Sequence, residues 1–92
     1  MPGDEVVMVR GDIPVGDREG RHTHPGVLVG HVEEGTVTLD DEGKPSVVYK
    51  AGDTFFVEAG KVHEGINTGN VPVKVLAVFV VKTGAPLTTP AK

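Results

Sequence analysis

The chain is written in short valine-rich runs, each closed by a cluster of turn-forming residues, and that alternation restricts it to strands. The runs cover residues 6–9, 27–32, 36–39, 46–49, 54–57, 63–68 and 71–81, which predicts seven strands. Between them stand Glu34-Gly35, residues 40–45, Ala51-Gly52-Asp53, Ala59-Gly60 and Thr68-Gly69-Asn70, rich in the residue types that favour tight turns. Valine is the commonest residue, threonine is frequent, and leucine and alanine are scarce. β-Branched side chains pack well on a pleated surface but lose rotamer freedom in a helix, and 13 glycines with 7 prolines break helices further. The expected fold is all-β with almost no helix, a sandwich or barrel of short strands.

At 92 residues the chain has the length of one domain, and residues 1–92 are read as a single unit without repeats. Only residues 1–3 and 83–92 read as linker-like ends. No stretch approaches the roughly 20 apolar residues needed to span a bilayer, and Asp4 and Glu5 interrupt any secretion signal, so a cytoplasmic protein with no membrane association is expected. The net charge of -4, with lysine and arginine scattered singly, excludes a nucleic-acid footprint. Cysteine is absent, so any metal must be held by nitrogen and oxygen. Residues 75–81 are apolar on both faces, unlike a half-exposed strand, so their outer side needs a cover. A second sheet of the same chain or a second subunit could supply it, and a homodimer is expected.

The chemistry is concentrated in Arg21-His22-Thr23-His24-Pro25-Gly26. In an extended segment His22 and His24 share a face with Cα atoms about 6.5 Å apart. Both rings can then reach one ion at the ~2.1 Å of a zinc–nitrogen bond. Taken alone, such a pair is a weak motif, more commonly two solvated loop histidines than a metal site.

The longer pattern is more specific. Gly16, His22, His24 and Gly35 follow the spacing Gly-x5-His-x-His-x3-4-Glu-x6-Gly, while Gly52, Gly60, His63 and Asn67 follow Gly-x5-Pro-x-Gly-x2-His-x3-Asn. In these two motifs the chain resembles the cupins. The resemblance implies a double-stranded β-helix, the jelly-roll cupin barrel, with His22, His24 and His63 converging on one divalent transition metal such as Fe, Zn, Ni or Cu. The motif's glutamate position falls on Leu28, or on Val29 with the longer spacing, so the customary carboxylate ligand is missing; Glu58 stands at the proline position. Glu33 and Glu34 read as solvated hairpin residues. Strand parity turns His31 away from Leu28's face and hence from the metal. Asn67 shares His63's face or closes the following turn, and Tyr49, Phe55, Phe56, Phe79 and Met8 read as core or cavity lining.

A metal held by three neutral imidazoles keeps its double positive charge and up to three open positions, which suits anionic or bidentate oxygen ligands. The resemblance therefore implies a small-molecule ligand or substrate, and a metal-dependent dioxygenase or related enzyme acting on it. The alternative is a non-enzymatic cupin that binds a metal or small ligand for storage, sensing or structure. Glu58 and Glu64 are the carboxylates nearest His63 in sequence, with no orientation assigned to either.

Overall fold

A computed structural model describes residues 3–91. Among them lie nine strands and no helix: β1 (Asp4–Ile13), β2 (His22–Thr23), β3 (Val27–Glu34), β4 (Thr36–Asp41), β5 (Val47–Lys50), β6 (Thr54–Val57), β7 (His63–Asn67), β8 (Val73–Lys82) and β9 (Thr89–Pro90). The seven expected runs are all strands. The two additions, β2 and β9, have two residues each and pair with one another, too short to leave a periodic signal. Of residues 83–92, expected to be a loose end, Thr89–Pro90 form a strand, and Lys92 lies outside the described residues. No helix of the described residues is long and apolar enough to cross a membrane.

The strands form two antiparallel sheets, in the orders β1-β8-β3-β6 and β5-β4-β7-β2-β9. Consecutive strands mostly lie in different sheets, so the chain shuttles between layers and winds the double-stranded β-helix. Where β3 turns into β4 a single residue, Gly35, makes the corner at φ 81°, a left-handed conformation that side chains other than glycine resist. Inward-facing residues alternate along each strand and meet between the layers, with Leu28, Val32, Val37, Leu39, Val57 and Phe79 in the buried core. Gly30 and Phe55 are register partners, and the phenylalanine ring fills the space a side chain at 30 would need.

β8 runs between β1 and β3, which explains its doubly apolar sequence in part. Phe79 and Val81 lie in the core and Val75 and Ala77 pack against it. The other face carries Leu76, Val78 and Val80 outward, beside exposed residues of the neighbouring strands.

Candidate metal centre

His22 lies on β2, His24 follows it directly, and His63 opens β7 as the register partner of His22. Strand alternation keeps the first two rings on one face, and the β2–β7 pairing brings in the third. The ring centroids stand 4.8 Å (His22–His24), 4.4 Å (His22–His63) and 4.9 Å (His24–His63) apart. One ligand nitrogen from each lies within 4.8 Å of the others, close to the span that a single ion with bonds of about 2.1 Å can bridge.

Each ring is held by its other nitrogen. Nδ1 of His22 meets the Gly20 carbonyl at 2.7 Å, Nδ1 of His24 the Leu87 carbonyl at 2.8 Å, and Nδ1 of His63 the Lys61 carbonyl at 2.9 Å. A carbonyl only accepts, so each Nδ1 carries the proton and donates, leaving the Nε2 lone pair as the free ligand atom. This second layer of hydrogen bonds is the usual way a metal-binding imidazole is fixed in tautomer and orientation. The electrostatics agree. Burial pushes the imidazoles of His24 and His63 below the ordinary histidine range, only partly opposed by their backbone carbonyls, which keeps both rings neutral as ligation requires. Asp41, the register partner of His63 across β4 and β7, is buried with Oδ1 unpaired among the described residues.

The rings open into a cavity of about 470 Å³ between the two sheets. Its walls are largely apolar, with Leu28, Phe55 and Phe79 from one sheet and Val37 and Leu39 from the other. Phe79 sets its ring edge against His24 at a centroid distance of 4.7 Å. Leu28, at the motif's glutamate position, is buried and lines this cavity, whereas Val29 is exposed on the opposite face, so the shorter motif spacing applies. Three imidazoles with anchored Nδ1 atoms on the wall of a cavity fit a divalent transition metal.

The remaining residues singled out in the sequence lie outside this constellation. His31 is exposed and bonds the Thr54 hydroxyl at 3.1 Å. Asn67 closes a turn: its Nδ2 donates to the carbonyls of Ile13 and Val71 at 2.9 Å each, and its Oδ1 accepts from the Gly69 amide. Glu58 is exposed, 4.0 Å from Lys44, and does not line the cavity. Glu64 is buried, but it pairs with Arg18, which holds its carboxyl below the usual carboxylate range. Phe56 and Met8 are exposed on the outer face of the first sheet rather than filling the core or the cavity.

Two contributors escaped the sequence reading. The C-terminal segment supplies the Leu87 carbonyl to His24 and places Leu87, Thr88 and Pro90 on the cavity wall. Glu19 also lines the cavity, although it lies an odd number of residues before His22 and parity would send it to the other face. Gly20, at φ 85°, breaks the extended run between them, so parity does not carry through.

Comparison with known proteins agrees with the fold. The Cupin domain family model matches residues 9–79. An oxalate-binding protein of Thermotoga maritima is 35% identical over 75 residues, covering 80% of this chain and 61% of the relative, so the chain spans about three fifths of that relative's length. The crystal structure of a predicted oxalate decarboxylase from Thermotoga maritima superposes with a TM-score of 0.73 at 34% identity, over 82% of this chain and 65% of the other. A Klebsiella pneumoniae protein with a double-stranded β-helix domain superposes with a TM-score of 0.78 at 24% identity, over 95% and 75% of the two chains, a likeness of fold.

Proposed function

The chain belongs to the Cupin domain family, and on that premise we propose that it binds one divalent transition metal through His22, His24 and His63 and uses it to hold a small oxygen-bearing molecule. The observation that carries this reading is the anchoring of all three Nδ1 atoms by backbone carbonyls, which leaves three Nε2 atoms free around one point. When bound, such an ion supplies Lewis acidity or redox chemistry at an oxygen ligand. The chain's own residues do the rest. The carbonyls of Gly20, Leu87 and Lys61 orient the rings, while Leu28, Phe55 and Phe79 keep the surrounding cavity apolar and limit water.

The finer reading is a metal-dependent oxygenase, supported by a site with three protein donors and a cavity of about 470 Å³, large enough for a substrate beside a second small ligand. The alternative, a binding module without turnover, is favoured by the relative described as an oxalate-binding protein. Elemental analysis of protein purified without chelator or affinity metal should find one ion per chain. His22→Ala, His24→Ala and His63→Ala should each lose it, and His31→Ala should retain it. Oxygen uptake by the metal-loaded protein with diketones, small thiols and catechols then separates the readings, since retention of metal without turnover favours the binding module.

We further infer that two copies pair through the outer face of the first sheet. The registers align Met8 with Val78, Val78 with Val29 and Val29 with Phe56, an unbroken apolar row across all four strands. Val6 and Val80 extend it, and Met8, Val6 and Phe56 are 65%, 60% and 56% exposed. Four strands about 4.8 Å apart, three of them eight to ten residues long and β6 of four, present on the order of 500 Å² in projection, polar residues included. That face is comparable to the ~300–600 Å² of the largest patch on a typical monomer, a size that is often functional, and approaches the ~800 Å² per partner of a standard interface once side-chain relief is added. Asp4 opposite Lys82 and Arg10 paired with Glu33 give the patch a rim of both signs.

A further inference from the structure

Glu19 is the one carboxylate on the cavity wall among the described residues. It is held there by two bonds to the same partner: its amide donates to the Gly65 carbonyl at 3.0 Å, and its Oε1 accepts from the Gly65 amide at 2.9 Å. The place exists because residue 65 has no side chain. A Cβ at that position would stand 2.5 Å from Oε1 of Glu19 and 3.3 Å from Cδ1 of Ile13. Gly65 thus provides both the donor and the space that hold the carboxylate. Its other oxygen, Oε2, has no protein hydrogen bond among the described residues.

The rest of the wall sharpens what that oxygen can select. Arg21 is the one arginine lining the cavity and no lysine does, among the described residues. Its guanidinium is already engaged by Glu42 at 2.8 Å and Asp40 at 3.8 Å. A ligand that is anionic at both ends would therefore find the metal for one end, and for the other a carboxylate with no free cation nearby. Glu19 lines the cavity while staying exposed, so the repulsion acts partly through solvent, and like charges left unpaired there still disfavour such a ligand. The cavity, at about 470 Å³, is also roughly two to five times larger than oxalate needs, since six non-hydrogen atoms occupy on the order of 100–200 Å³ by comparison with the ≈ 30 Å³ of one water.

We propose that Glu19, locked against Gly65, selects ligands that carry an oxyanion at one end for the metal and an N–H or O–H donor at the other, joined by an apolar body, and that it disfavours dicarboxylates. This rests on the three-histidine metal reading and narrows its ligand class. Glu19 acts as a specificity residue: it touches the ligand and supplies no ligand atom to the metal, although its charge is felt at His24.

The test is isothermal titration of zinc-loaded protein with three matched series of three to six carbons: ω-amino acids, ω-hydroxy acids and dicarboxylates. Zinc content is measured on the same samples. In the wild type the donor-ended acids of at least one chain length should bind about tenfold or more tighter than the dicarboxylate of that length. Glu19→Gln keeps an acceptor for the Gly65 amide but removes the charge, and should shrink the preference for the amino acid to within about threefold. Gly65→Ala keeps the carboxylate but displaces it, and should also reduce the preference, because the atom in the way is the mobile end of a side chain. Zinc content should be equal in all three proteins. Dicarboxylates binding the wild type as tightly as the donor-ended acids, no donor-ended acid binding at all, or a preference unchanged in Glu19→Gln would each overturn the proposal while zinc retention left the metal reading standing. A wild type that held no zinc would overturn both.

Discussion

Replacing Leu28 with glutamate restores the carboxylate that the first motif lacks, and the structure sets the expected size of the effect. Leu28 is 6% exposed, lies opposite Val57 and Phe79 in the sheet, and shares a cavity wall with the three histidines. Losing its burial costs about 1.5–3 kcal/mol. A carboxyl group left there without a partner adds roughly 1–3 kcal/mol more. Without metal, Leu28→Glu should therefore be destabilised by about 2.5–6 kcal/mol, which in a domain of this size lowers Tm by roughly 10–50 °C. With metal the carboxylate becomes a fourth ligand and its desolvation is offset by coordination, so only the loss of packing remains, about 2 kcal/mol or roughly 10 °C. The benefit should be largest with Mn, which accepts carboxylate oxygen more readily than a purely imidazole site does. Calorimetric melts of wild type and Leu28→Glu, metal-free and with Mn, Fe or Zn, measure this difference of differences. Equal Tm losses with and without every metal would show that position 28 does not reach the ion, and the site geometry built on it would be wrong.

Acid should weaken the metal-free fold before carboxylates begin to titrate. His24 and His63 sit below the ordinary histidine range because of burial, so between pH ~6.5 and their lowered values the unfolded chain binds more protons than the native one. Their contribution is complete above about pH 6.5 and is lost as pH falls. Urea titrations of the metal-free protein at about pH 7.5 and about pH 5.5 should show the lower stability at the lower pH, and a flat profile would contradict the burial argument. The outer-sheet interface predicts a dimer mass in light scattering at micromolar concentration and a monomer for Met8→Lys combined with Phe56→Lys, with metal content unchanged. A monomeric wild type would refute the pairing.

Strand formation along this chain depends on local chemistry, and so it was legible in one dimension. β-Branched runs, turn clusters and the glycine at the Gly35 corner each act on the backbone within a few residues, and all seven predicted strands are present. The convergence of His22, His24 and His63 was legible too, through motif spacing, which left the vacant position to Leu28 or Val29, while strand parity set His31 on the face opposite Leu28. The short strands β2 and β9 were not, because two residues carry no period. Nor was the fastening of His24 to Leu87, 63 residues away, or of Glu19 to Gly65, 46 residues away. Those contacts depend on where the chain stands after it has wound through both sheets. A residue's local propensity records its preferred backbone conformation but not which distant carbonyl or amide the closed barrel will bring to it. The left-handed turn at Gly20 shows the limit most directly: one positive φ cancels the parity rule and places a carboxylate in the cavity, where only the closed tertiary structure decides what it faces.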